Sequence, residues 1–268
     1  MQYSTVNVDQ SEGIATVTLN RPDRFNALNR QLLDELPQAL AQLARDESVR
    51  VVVLTGAGTA FCSGADLGWL GDNMEQWMGG EDTGISVDYA STTSFCLAIR
   101  NVPQPTVASI NGLAVGGGIT LALNCDIRIA AEEATMVFPF ASMVGVTPEF
   151  ASTYTLPRLV GIAKACELMF TGKSITGGEA KAIGLVNDAV PLEKLGETTS
   201  RLAKSIARAS ATATQLAKRG LYQGMNADLY SQLLWEEEAL RETFGSEDNQ
   251  EAISAFLEKR KPVFKGRR

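Results

Sequence analysis

One carboxylate in this sequence stands apart from the others. Between Glu133 and Glu167 the chain carries a single acid, Glu149, inside VGVTPEFASTYTLPRLVG (144–161), surrounded by Val, Ala, Phe, Thr and Tyr. Apolar surroundings disfavour the charged form of a carboxyl group and raise its pKa, which suits a group that takes up and returns a proton near neutral pH. The structural alternative is that Glu149, directly after Pro148, begins a helix at about residue 150, where an acid meets the positive end of the helix dipole. Two glycine-rich segments are the other candidates: FCSGADL (61–67) and NGLAVGGGITLAL (111–123). Glycines before a helix can present bare N–H groups to an oxyanion or phosphate, and they also form close strand-to-helix turns where only glycine fits. GGGIT lacks the Lys-Ser/Thr ending of a P-loop, and no G-x-G-x-x-G ends the first strand, so kinase-like and dehydrogenase-like readings drop out.

Histidine is absent. That removes Ser-His-Asp and Cys-His mechanisms and argues against a zinc or haem site. Cys62, Cys96, Cys125 and Cys166 form no C-x-x-C pair and lie mostly in apolar stretches, which reads as buried free thiols rather than disulfides or a zinc site.

The elements that must position these groups follow from periodicity. Residues 3–9 and 13–20 alternate as strands around a SEG turn, predicting an opening hairpin. A helix is expected over 29–45, then a buried strand, VRVVVLTG (49–56), whose continuous β-branched character suits a sheet covered on both faces. Residues 56–70 read as loop, and 71–84 as a cover whose Met and Trp side chains could line an acyl pocket. A helix over 86–100, a strand at 105–112, the glycine-started helix at 116–126 and short strands in IRIAA and TMVF complete an α/β layer with a partly parallel sheet. From about residue 150 the pattern is helical: 150–159, 162–171, 177–183, 193–209, 211–224, 227–243 and 248–258.

Composition sets outer bounds. The 268 residues are 45% hydrophobic and 21% charged, ordinary for a globular enzyme, and the net charge of −7 argues against nucleic-acid binding. The C-terminal KRKPVFKGRR, with six cations, is either a solvated end or an anion contact. No leader pattern and no apolar run near the ~18 residues of a membrane span is present, so a cytoplasmic protein is expected.

Together, RPDRFNALN (21–29), AFCSGADL (60–67), PTVASINGLAVGGGITLALNCDIRIA (105–130), LMFTGKSITGGEAKAIGLVN (168–187) and FLEKRKPVFKGR (256–267) resemble the crotonase superfamily, in the family's order from about residue 3 to the end. The resemblance implies an α/β, crotonase-like (ClpP/crotonase) spiral of ββα units over residues 1–195 and a helical trimerisation region over 196–268. It implies a homotrimer or dimer of trimers, and an acyl-CoA substrate of which coenzyme A is part, with no separate cofactor. It also implies that the N–H groups of Ala65 and Gly117 hold the thioester oxygen, next to Gly116. Backbone around Ser63, Gly64, Asp66 and Leu67 would meet the adenine and pantetheine. Arg24, with the segment containing Ala27, would follow the pantetheine and phosphates, and Phe264 and Lys265 would reach a neighbouring subunit's coenzyme A.

Hydratases of the superfamily carry two glutamates, at positions matched here by Thr120 and Phe140. Neither residue titrates for acid or base work, so hydration by that pair is not expected. The segment containing Glu149 is similar instead to a branch of 3-enoyl-CoA to 2-enoyl-CoA isomerases that uses one glutamate at this place. An atypical hydratase using Glu149 with water, and a non-catalytic acyl-CoA-binding protein, are the alternatives. Residues 152–172 also resemble a dehalogenase branch acting on halobenzoyl-CoA, but that branch needs an aspartate and a histidine. Asp66 and Asp126 read as structural, through turn and strand-end hydrogen bonds, while Tyr154 and Thr120 could touch the acyl group.

Overall fold

The structure, a computed structural model, describes residues 3–72 and 89–265. Strands β1 (Val6–Ser11) and β2 (Ile14–Leu19) form the expected hairpin, with Val6 opposite Leu19 and Ser11 opposite Ile14. Glu12 and Gly13 both take positive φ (52° and 77°), as a tight turn matched to strand twist requires. Strands β3 (Val51–Gly56), β5 (Thr106–Ile110), β7 (Ile127–Ala131) and β10 (Asp188–Val190) then add in parallel, giving the order β1-β2-β3-β5-β7-β10. A second sheet holds β4 (Ala60–Cys62), β6 (Leu113–Val115), β8 (Thr135–Val137) and β9 (Ile175–Thr176).

The chain passes from the first sheet to the second in β3–β4, β5–β6 and β7–β8, with helical segments between successive passes. This is the expected α/β spiral of ββα units. Helix α1 (Arg30–Arg45) is capped by Asn29, whose side chain accepts from Leu32 N–H, and buries Leu32, Leu33, Leu36, Ala39, Leu40 and Leu43 along one stripe. Helices α2 (Leu67–Asp72) and α3 (Tyr89–Arg100) follow β4, and α4 (Gly117–Leu123) follows β6. After β8 come a π-helical turn (Phe140–Val144), α5 (Ser152–Val160), α6 (Ile162–Thr171) and α7 (Gly177–Ala182).

Strand β3 shows why an unbroken apolar run was needed. Val52 and Leu54 face the main core, whereas Val51 and Val53 join Val107 and Ala203 on the other face. Ala203 comes from α8 (Leu192–Ala207), so residue 195 falls inside a helix that lies on the six-stranded sheet. Helices α9 (Ala211–Gly224), α10 (Leu229–Thr243) and α11 (Glu247–Leu257) complete the chain, and α10 buries none of its residues.

Several expectations need correction. Within 56–70, read as loop, residues 60–62 form β4 and 67–70 begin α2, and beyond 150, read as helical, residues 175–176 and 188–190 form β9 and β10; segments of two to four residues are too short for periodicity to register. Helix α5 starts at Ser152, not 150, because Phe150 and Ala151 hold left-handed backbone. The proposed cover at 71–84 lies almost wholly outside the described residues. The cysteines are free thiols, with Cys62 and Cys125 buried and Cys96 and Cys166 half-buried.

Candidate active site

The first glycine segment is held by the loop before α1. Leu28 forms a lone parallel bridge with Ala65: its N–H donates to Gly64 O (2.7 Å) and its carbonyl accepts from Asp66 N–H (3.0 Å). Such pairing turns the N–H of the intervening Ala65 away from Leu28, and no acceptor for it occurs among the described residues. Arg21 clamps the loop by binding Asp66 (2.8 Å) and the carbonyl of Ala27. Buried Asn26 accepts from Arg21 N–H (2.9 Å) and donates to the carbonyls of Ala57 (2.9 Å) and Ala60 (2.8 Å).

These bonds give several predicted residues structural work. Burial alone would raise the Asp66 pKa, but the Arg21 guanidinium and the Trp69 N–H more than offset it and hold the carboxyl below its ordinary value. The Arg24 side chain and Leu67 are exposed beside this loop, and the Ser63 hydroxyl faces Arg24 O at 3.5 Å.

The second glycine segment interlocks with the first. Gly116 has φ 51° and ψ −120°, a conformation that glycine alone adopts readily. A Cβ on Gly118 would lie 2.0 Å from Cys62 O, and one on Gly64 2.6 Å from Val115 O and 3.3 Å from Gly117 N. The glycines thus permit close approach, and Gly117 N–H, at the first turn of α4, is left without an intrahelical acceptor.

Glu149 stands over this junction. A Cβ on Gly117 would lie 3.3 Å from Glu149 Oε1, 2.8 Å from Leu28 Cδ1 and 3.0 Å from Phe150 Cε2. The Phe150 ring in turn packs on Phe95 at 5.4 Å. Burial pushes the Glu149 carboxyl up to about 7, with no charge or hydrogen bond among the described residues to offset it. Cys96 on α3 is pushed up to about 12, first by burial and then by the Glu149 charge. The helix-start reading fails for the side chain: α5 has no side-chain cap, and Ser152 N–H donates to the Glu149 carbonyl (3.1 Å).

The other predicted residues divide. Thr120 is fully buried and its hydroxyl donates to Gly117 O (3.0 Å), while Phe140 is buried at the start of the π-helical turn. Tyr154 is engaged elsewhere: its ring lies under the guanidiniums of Arg158 (3.6 Å) and Arg100 (5.7 Å), and its hydroxyl accepts from Asn226 (2.8 Å). Asp126 accepts from Thr106 N–H (2.7 Å) and Tyr222 (2.5 Å) and pairs with Lys218 (2.8 Å), a strand-end role. Phe264 O accepts from Arg50 (3.2 Å) and Lys265 N–H donates to Asp248 (3.0 Å). Within one chain the tail thus lies at the N-terminal end of β3, not with Glu149.

Leu28, in the segment expected along the pantetheine, borders the site, and Phe95 and Cys96 line it without having been singled out for it, since apolar residues at helix positions give no advance signal. Two surface clefts, of about 510 and 570 Å³, lie along β1 and α1 and between the hairpin and α8, apart from Glu149. Among the described residues no trio of His, Cys, Asp or Glu is arranged to hold a metal ion, and no helix is long and apolar enough to cross a membrane.

Comparison with known proteins extends this geometry. Residues 9–267 match the sequence model of the family described as enoyl-CoA hydratase/isomerase. The chain is 36% identical over 262 residues to the short-chain-enoyl-CoA hydratase of Clostridium acetobutylicum, covering 97% of each. It is 35% identical over 267 residues to the 1,2-epoxyphenylacetyl-CoA isomerase of Escherichia coli, covering 100% of each. The crystal structure of an enoyl-CoA hydratase from Bacillus anthracis superposes with a TM-score of 0.89 at 35% identity, covering 98% of this chain and 100% of that one.

Proposed function

This chain belongs to the enoyl-CoA hydratase/isomerase family, and we propose that it moves the double bond of a 3-enoyl-CoA to the 2-position, with Glu149 as both base and acid. The observation that carries this reading is one carboxyl poised near pH 7 beside Gly117, with a bonded threonine and a buried phenylalanine at the two positions where the superfamily's hydratases carry their glutamates. Glu149 takes a proton from C2, the electron pair moves into the thioester carbonyl, and the same carboxyl returns the proton at C4. No water is consumed, so one group suffices.

The dienolate oxygen would be met by Ala65 and Gly117 N–H, which have no acceptor among the described residues. Each such preorganised donor typically contributes about 2.7–4 kcal/mol to the transition state. Coenzyme A would lie along Ser63, Gly64 and Leu67, with the exposed Arg24 reaching its phosphates. The resemblance to trimeric relatives would be met by association through the apolar residues that one chain leaves exposed on and between α9 and α11, including Leu221, Leu229, Tyr230 and Phe244. In such a trimer, Phe264 and Lys265 would serve a neighbouring subunit's substrate.

A second reading, hydration with Glu149 and a water, is favoured by the hydratase names of most relatives. The test separates them: wild type and Glu149→Gln are assayed on a 3-enoyl-CoA and a 2-enoyl-CoA, and the products identified. Migration that vanishes in the variant is expected. Dominant hydration, or migration that survives without the carboxylate, would overturn the isomerase reading.

A further inference from the structure

The turn that carries Glu149 is held in a conformation its sequence does not favour. Phe150 and Ala151 are consecutive non-glycine residues with left-handed backbone (φ 51° and 57°), and such residues persist only where their surroundings over-determine them. The surroundings include Asn124, which follows α4 and is 1% exposed. One hydrogen of its side-chain amide goes to Thr120 O (2.9 Å) and the other to Phe150 O (3.0 Å), with a longer contact to Cys96 Sγ (3.9 Å). Its Oδ1 has no partner among the described residues. Reversing the amide would aim that oxygen at two carbonyl oxygens, so the donors fix its orientation.

The bond to Thr120 O completes the end of a helix; the bond to Phe150 O does not. We propose that Asn124 is a positioning residue that ties the strained Phe150–Ala151 turn to the end of α4 and thereby sets Glu149 over Gly117. Helix α4 then acts as a gauge of fixed length. Its first residue, Gly117, lies under the carboxylate, and the residue after its last holds the turn from which that carboxylate projects. The catalytic meaning of this arrangement rests on the role proposed for Glu149.

The test is Asn124→Ser. A serine hydroxyl retains the bond to the carbonyl four residues back but is too short to span to Phe150 O as well. The expected result is a fall in kcat of about ten- to a hundredfold, as for a misplaced reacting group, with KM for the acyl-CoA unchanged. In the substrate-free enzyme, carboxyl-labelled glutamate followed by carbon NMR should show Glu149 titrating below its wild-type position, because a loosened turn admits water. Adding Ala151→Gly relieves the strain at Ala151, so Asn124→Ser/Ala151→Gly should recover both kcat and the titration.

A single variant with unchanged kcat and titration would overturn the proposal, as would losses that Ala151→Gly does not restore. If the single variant fails to fold, the double variant decides: wild-type kcat supports the tether, and reduced kcat or failure to fold makes Asn124 a residue of the fold alone. The NMR readout needs no turnover. Were Glu149→Gln to leave activity intact, the proposed function would fall, while a restored titration shift would still show that Asn124 sets the position of Glu149.

Discussion

A carboxyl whose pKa is raised by burial works against the fold once it ionises, and Glu149 allows the size of that effect to be worked out. Its pKa is raised from 4.5 to about 7, a difference of 7 − 4.5 = 2.5. At ~1.4 kcal/mol for each pH unit the full shift corresponds to about 3.5 kcal/mol, and allowing for the part of the carboxyl that still meets water, ionisation costs the folded state about 2–3 kcal/mol. Because the folded pKa lies above the unfolded one, the folded state holds the proton more tightly. The favourable contribution is complete below about pH 4.5 and is lost as pH rises through about 7. Glu149→Gln, neutral at every pH, should therefore match wild type near pH 4.5 and exceed it by about 2–3 kcal/mol at pH 8. That corresponds to a Tm higher by roughly 5–10 °C for a chain of this size. Urea unfolding at the two pH values, at fixed protein concentration and without substrate, measures it. No gain at pH 8, or the same gain at both pH values, would mean that Glu149 ionises as an ordinary surface carboxylate, and the dry site would have to be abandoned.

Three other substitutions test the packing and the tail. Gly118→Ala should destabilise by about 3 kcal/mol or more, since its Cβ would sit 2.0 Å from the backbone oxygen of Cys62, whereas Gly196→Ala on α8, with nothing within 4 Å, should stabilise by about 1 kcal/mol; thermal unfolding compares the pair, and equal effects would refute the interlocked glycine segments. Lys265→Glu leaves the backbone bond to Asp248 in place and should raise KM for an acyl-CoA several-fold at low salt, the effect shrinking as salt screens it; an unchanged KM would remove Lys265 from the site.

What the sequence revealed depended on whether the relevant signal was local. Glu149 was conspicuous because its neighbours are apolar, and the glycines because few other residues are compatible with a close strand-to-helix approach. The apolar run of β3 announced a sheet covered on both faces before the covering helix, α8, was known. The supports of the site were hidden for the opposite reason. Arg21 and Asp66 are 45 residues apart, and Asn124 and Phe150 are 26 apart, so neither bond leaves a periodic trace. The left-handed pair at Phe150 and Ala151 was also illegible, since neither residue type favours that backbone. Its presence moved the start of α5 by two residues and turned what looked like a helix-capping acid toward Gly117.

Two glutamates of this chain show what that placement achieves. Glu251 is gripped by both terminal nitrogens of Arg260 and by the Val263 N–H, and these hold it down to about 2. It is a permanent anion, suited to fastening the tail and of little use as a base, because a carboxylate that weakly attracts protons cannot draw one from carbon. Glu149 has Leu28 and Phe150 where Glu251 has a guanidinium, and the same functional group moves to about 7. Environments that drive like groups apart in this way separate structural carboxylates from working ones. A salt bridge to Glu149 would have stabilised the fold and disabled the proposed base. An unpaired carboxylate must instead be kept in place by its backbone, which is why the strain at Phe150 and Ala151 and the amide of Asn124 belong to the same argument as the proton transfer.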